Sequence, residues 1–332
     1  MTTIINEHLS RITIGERQVY DNMTVFPILD NIPSTKNYLT LKKAMGLGHL
    51  QVTETDIEAS VSNVKVINSG ENPVLLLQGE GIEGAMQNRV FNTTIMLGGK
   101  SETIIPVSCT EAGRWSYGSE DNSYYDSDDK PLNPKYSDFH ESDVVAPPAL
   151  RTTLSKTVSH SLIQNAMYDS NQHEVWKDID DVLERSKVSS DTESMEDVFT
   201  EKEEDISGYL DAFPLIPRQK GIIAYVNGTI VGLDTVSRED AYEDYHNKLI
   251  RSYALQSTIT SNNNINNFAP SDHETFIKKI SEYEGKEYAS VGLGNDYRLN
   301  NDELVGSALT LGGEVIHLNF FPSTSENEVR NV

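Results

Sequence analysis

The spacing of apolar and polar positions changes character along this chain, and each change predicts a different kind of element. Residues 51–56, 61–67, 74–78, 92–97 and 103–108 are short apolar or alternating runs bounded by Gly, Asn and Pro, the pattern of β-strands. Gly98-Gly99 lies between the last two runs and predicts a two-residue hairpin, because glycine accepts the positive φ angles such a turn needs. Ahead of these strands, Tyr38–Leu47 reads as a short helix ending near Gly46 or Gly48. From about residue 150 to 212 the period becomes helical, in LIQNAMY, EVWKDIDDVLERS and SMEDVFTEKEEDISGYLDAF, with Ser190 or Thr192 as the N-cap of the last.

Strands return at GIIAYVNGTIVGLDT (221–235), two apolar runs joined by Asn227-Gly228, a strong hairpin signal. Ser237 then reads as the N-cap of a helix through about Gln256, with Asp240 at its third position. Ser271 and Glu274 make a capping box for a helix over 272–283. Short strands near 286–290 and 304–321 close the chain, turning at Gly312-Gly313. LGGK (97–100) and LGGE (311–314) hint at a weak internal duplication. Because strands and helices segregate instead of alternating, the expected class is α+β: a β-rich N-terminal part with hairpins, a helical middle and a mixed C-terminal part. The expected organisation is a β-rich part over 1–117, an acidic surface loop over 118–143 rich in Asp, Ser, Asn and Tyr, and a helical and mixed part over 144–332 packed with the first as one compact domain.

Composition narrows the function. A net charge of −24 argues against nucleic acid and against an anionic membrane surface. One cysteine excludes an intrachain disulfide, which fits a reducing cytoplasm. No apolar run approaches the length of a membrane helix, and the N-terminus carries no signal-peptide pattern. The eight histidines are dispersed without metal-ligand spacing, so no metal and no cofactor is expected.

Two blocks carry candidate chemistry. In GEGIEGAMQNR (79–89), Gly79, Gly81 and Gly84 match the dinucleotide-loop spacing literally, but no crossover helix follows, so tight turns are the better reading. Gln87 and Asn88 are suited to amide edges or sugar hydroxyls, and Arg89 to a phosphate or carboxylate, unless they form an exposed turn or Arg89 pairs internally with Glu80 or Glu83. In PVSCTEAGRW (106–115), Glu111 has the makings of a general acid or base, Arg114 of a phosphate partner and Trp115 of a stacking face. Cys109 reads as a small core residue. His160, between two serines, carries no hydrolase signature.

Together with YLTLKKAMGLGHLQVTE (38–54), NPVLLLQGEGIEGAMQNRVFNTTIML (72–97), the PALR segment ending at Arg151, QHEVWKDID (172–180), SSDTESMEDVF (189–199) and GIIAYVNGTIVGLDTVS (221–237), these blocks resemble the family of domains associated with ADP-ribosylglycohydrolases and rhodanese-phosphatases. The resemblance spans about residues 35–255, and the acidic stretch 118–143 departs from its usual pattern. It implies a link to ADP-ribose or NAD-derived metabolites. It makes Glu80, Gln87, Asn88, Arg89, Glu111, Arg114 and Trp115 pocket candidates, with Arg151 and Glu174 in matching blocks. The expected function is binding, or sequestration, of an ADP-ribose-like nucleotide. Arg89 and Arg114 would hold its pyrophosphate, Trp115 would stack, and Gln87 and Asn88 would read hydroxyls. One alternative is a hydrolase of a glycosidic or phosphate bond with Glu111 or Glu80 as base. The other is a protein-interaction module. A homo-oligomer burying ligand between subunits would favour sequestration.

Overall fold

The structure, a computed structural model, describes residues 3–55, 62–113, 139–260 and 272–323. The chain opens with helix α1 (Thr3–Arg11), strands β1 (Thr13–Ile14), β2 (Gln18–Tyr20), β3 (Met23–Leu29) and β4 (Leu39–Thr40), and helix α2 (Leu41–Gly46). The Thr40 hydroxyl caps α2 by accepting from the Lys43 N–H. Eight strands follow: β5 (Leu50–Glu54), β6 (Asn63–Asn68), β7 (Val74–Leu76), β8 (Glu80–Gly84), β9 (Arg89–Phe91), β10 (Ile95–Leu97), β11 (Ser101–Cys109) and β12 (Phe139–Val145). The helical middle holds α3 (Pro148–Asn165), α4 (Gln172–Ser186), α5 (Met195–Glu201) and α6 (Glu203–Ala212). The last third contains β13 (Gln219–Val226), β14 (Thr229–Val236), α7 (Glu239–Thr258), α8 (Asp272–Glu282), β15 (Lys286–Ala289), β16 (Asn295–Asn300), β17 (Leu304–Leu311) and β18 (Glu314–Pro322).

A nine-stranded antiparallel sheet runs β1-β3-β13-β14-β18-β17-β16-β15, with β2 also on β3. Its central strands are buried on both faces. Along β13, Ile222 and Ala224 enter one apolar cluster with α3, α4 and α7, while Ile223 and Tyr225 enter another with Ile5, Leu9, Phe276 and Ile280 of α1 and α8. Burial on both sides explains why this strand reads as a continuous apolar run instead of an alternating one.

A six-stranded antiparallel sheet runs β12-β8-β9-β11-β6-β5. Arg89 lies on β9, yet its guanidinium donates to Glu54 on β5 at 2.9 Å and sits 5.4 Å from the Phe139 ring on β12. Those strands are three places away on one side and two on the other, at about 4.8 Å per place in a flat sheet. One side chain reaches both because the sheet curls around a core that includes Val52, Val64, Ile82, Phe91, Val107 and Phe139. A separate three-stranded sheet runs β10-β7-β4, with β4 and β7 parallel.

The α+β class stands, with strands first, helices in the middle and strands again at the end. Several local expectations change. The runs around Gly98-Gly99 do not pair with each other: β10 pairs with β7, and β11 with β6 and β9. The left-handed residue there is Lys100 (φ 52°), not a glycine. Gly99 is needed for a different reason, since a Cβ would lie 2.1 Å from the Glu71 carbonyl oxygen. Gly312-Gly313, with φ of 54° and 84°, and Asn227-Gly228, with φ of 50° and 79°, are the true hairpin turns. LGGK and LGGE therefore occupy different structures. Residues 139–143 of the expected acidic loop form most of β12, and 118–138 lie outside the described residues. Ser237 pairs with the Tyr38 hydroxyl at 2.7 Å, leaving Arg238 as the cap residue of α7. Ser190 donates to Asp197, and Ser194 is the cap residue of α5. Ser271 lies outside the described residues. The sequence reading missed α1, β1–β4, β9 and β16, and the 79–84 glycines it took as tight turns lie largely on β8.

Candidate functional site

Gln87, Asn88, Arg89 and Glu111 come together at one end of the curled sheet. Gln87 donates to the Glu111 carbonyl (2.9 Å), and the Asn88 N–H donates to the Glu111 carboxylate (3.2 Å). Asn88 in turn accepts from the Gly84 N–H (3.1 Å). Arg89 is fully buried against Glu54 and the Asn63 carbonyl, so its partner is neither Glu80 nor Glu83. Cys109 is sealed beside it, and burial pushes the thiol up to about 11. Arg114 and Trp115 lie outside the described residues.

Glu80 and Arg151 stand apart from that end, in the interior. Glu80 is fully buried and accepts from Lys248 (2.9 Å), which also meets Glu141 (2.8 Å). Burial works against the Lys248 ammonium, but the two carboxylates outweigh it and push its pKa up. Arg151 holds Asp234 through two bonds of 2.9 and 2.5 Å, with both side chains at 0% exposure. Tyr253 donates to the same carboxylate (2.5 Å), and His317 lies 3.4 Å away while sharing a bond with Thr94. Burial alone would raise the Asp234 pKa. The Arg151 guanidinium outweighs it and holds the carboxyl well below the usual range. Neither Glu80 nor Arg151 presents a surface to solvent.

A carboxyl that the sequence reading did not single out stands against the PVSCTEAGRW block. Glu196, on α5, accepts from the Thr110 hydroxyl (3.2 and 3.3 Å) and from Ser194 (3.1 Å). Burial, reinforced by Glu83, pushes it up to about 7. It sits where the helical middle docks on β11, through bonds from Met195 N–H to the Thr110 carbonyl (2.9 Å) and from Gly113 N–H to the Thr192 carbonyl (2.8 Å).

The open space lies next to this joint. A pocket of about 280 Å³ is walled by Trp176, His173, Lys177 and Ala112, the last from the CTEAGRW block. His173 also lines a groove of about 740 Å³ between α3, the start of α4 and Asn300 of β16. On α3, Lys156, His160 and Gln164 recur every four residues on one helix face, beside the buried Leu154, Val158 and Leu162. Every residue lining the groove is polar. Its floor is tied inward, since Ser170 donates to Ser108 (2.5 Å), which donates to Asn92 (2.6 Å). Glu174 lines the groove and is bonded to Asn171 (2.9 Å). The signal for this face was the helical spacing of its polar residues, which the sequence reading set aside with His160. Among the described residues, no group of three or more His, Cys, Asp or Glu could hold a metal ion, and no helix is long and apolar enough to cross a membrane.

No curated protein and no solved structure matches the chain. The model of one family, the ARG and rhodanese-phosphatase-superfamily-associated protein domain, matches residues 11–321 and so takes in both blocks and every wall of the groove. The chain belongs to that family.

Proposed function

We propose that this chain binds an ADP-ribose-like or NAD-derived nucleotide in the groove between α3 and the start of α4. The observation that carries the reading is the groove itself. At about 740 Å³ it falls within the roughly 300–1,000 Å³ of small-molecule sites, and the polar side chains along its wall can meet hydroxyls and amides of a ligand. The neighbouring Trp176 pocket, which shares His173 with it, offers an aromatic wall for a base. On this reading the buried pairs Arg89–Glu54, Glu80–Lys248 and Arg151–Asp234 hold the scaffold behind the groove. Binding takes place in the cytoplasm, by a protein whose one cysteine stays a buried thiol.

The test is a thermal-shift series with ADP-ribose, NAD and mononucleotides. Ligand at about 100 times its dissociation constant stabilises by about 2.7 kcal/mol. The shift should vanish in Gln164→Ala and His160→Ala, whose side chains are exposed. No shift with any of these ligands, or a shift that both variants retain, refutes the reading. Chromatography after incubation should return the ligand intact, as binding without turnover requires.

A further inference from the structure

Which part of a ligand the groove selects follows from which of its wall groups are already engaged. Lys156 donates its ammonium to the Ser323 carbonyl at 2.5 Å. At the N-terminus of α4, Asn171 accepts from the His173 N–H (3.2 Å) and donates to Glu174 (2.9 Å). Gln172 holds both backbone groups of Cys109, and the Thr157 hydroxyl donates to the Thr153 carbonyl. Among the described residues, the wall groups that engage no protein partner are the imidazoles of His160 and His173, the amides of Gln164, Asn165 and Asn300, the Ser161 hydroxyl and the Asp169 carboxylate.

The one fixed charge in that set is the Asp169 carboxylate. The one lysine on the wall, Lys156, keeps its positive charge and two further N–H donors beside the Ser323 carbonyl. The rest of the wall suits a sugar. A carboxylate is an acceptor only, with two oxygens, and so matches a vicinal diol that donates two hydrogen bonds. Amides and imidazoles both donate and accept, as ring and hydroxyl oxygens require.

We propose that the groove holds the ribosyl part of its ligand by the vicinal diol, with Asp169 accepting from the two hydroxyls and Gln164 and His160 completing the contacts. This inference rests on the groove being the ligand site. The experiment is isothermal titration of the full chain with ADP-ribose, AMP, adenosine and 2′-deoxyadenosine, each at low and high salt. Adenosine, which keeps the diol and carries no phosphate, should bind at both salt concentrations. Removing one hydroxyl, or making Asp169→Ala, removes a hydrogen bond to a charged group and should weaken binding by at least about tenfold. If ADP-ribose binds but adenosine does not, and salt weakens it steeply, phosphate carries the affinity; the diol inference is then wrong while the groove reading survives. Equal binding of adenosine and 2′-deoxyadenosine also overturns the diol, and does so on the unmodified protein. If none of the four binds, both readings fall.

Discussion

Replacing Asp234 by Asn tests the buried core of the chain most directly. The Asp234 carboxylate accepts two bonds from Arg151 and one from Tyr253, and both members of the ion pair have no solvent exposure. Asparagine keeps the shape but removes the charge, leaving the Arg151 guanidinium buried without a counterion. Two unit charges about 4 Å apart at an effective dielectric of about 20 attract by about 4 kcal/mol. Breaking such a pair by removing one partner costs about 3–5 kcal/mol. The assay is urea unfolding followed by fluorescence. Replacing both partners by apolar residues, Arg151→Met with Asp234→Leu, should cost at least about 2 kcal/mol less than the two single changes added together, because no charge is then stranded. The pH dependence follows from the same pair. The Asp234 pKa is depressed in the folded state, so its stabilisation is complete above the unfolded value of about 3.9 and is lost as pH falls through the folded value. If Asp234→Asn unfolds within about 1 kcal/mol of the parent, or the double variant equals the sum of the singles, the argument fails.

Glu196 predicts the opposite slope. Its pKa is raised from 4.5 to about 7, so the stability present below pH 4.5 is lost as pH rises towards 7. Glu196→Gln should flatten that stretch of the stability profile and make the protein more stable than the parent above pH 7, by roughly 3 kcal/mol at most. An unchanged slope in the variant would mean another group titrates. Gly79 is left-handed (φ 78°), and a Cβ there would meet Arg151 Cγ at 2.9 Å. Gly79→Ala should therefore destabilise by more than about 1 kcal/mol, read by thermal melting; a neutral outcome would show that Arg151 is free to move.

Much of the local structure was legible because it depends on neighbours in the chain. Asn227-Gly228 and Gly312-Gly313 read as hairpins, since a two-residue turn needs positive φ at both positions and these residues supply it. The helices of the middle read from their period, and the segregation of strands from helices led to the α+β class. Gly98-Gly99 carried the same signal and misled, because the local sequence does not say which strand β10 will pair with; that depends on β7, some twenty residues earlier.

The candidate site divides along the same line. The sequence by itself marked Gln87, Asn88, Arg89 and Glu111 as unusual polar residues among strands, and they do converge. Tertiary structure alone decided what their charges meet. Arg89 finds Glu54 only because a six-stranded sheet curls, and Arg151 finds Asp234 only because α3 packs on the large sheet. Distant segments then settled the electrostatics: the Arg151 guanidinium lowers Asp234 against its burial, while burial raises Glu196. The groove is likewise a product of packing, made where α3, α4 and β16 meet, from polar residues that are unremarked one at a time along the chain.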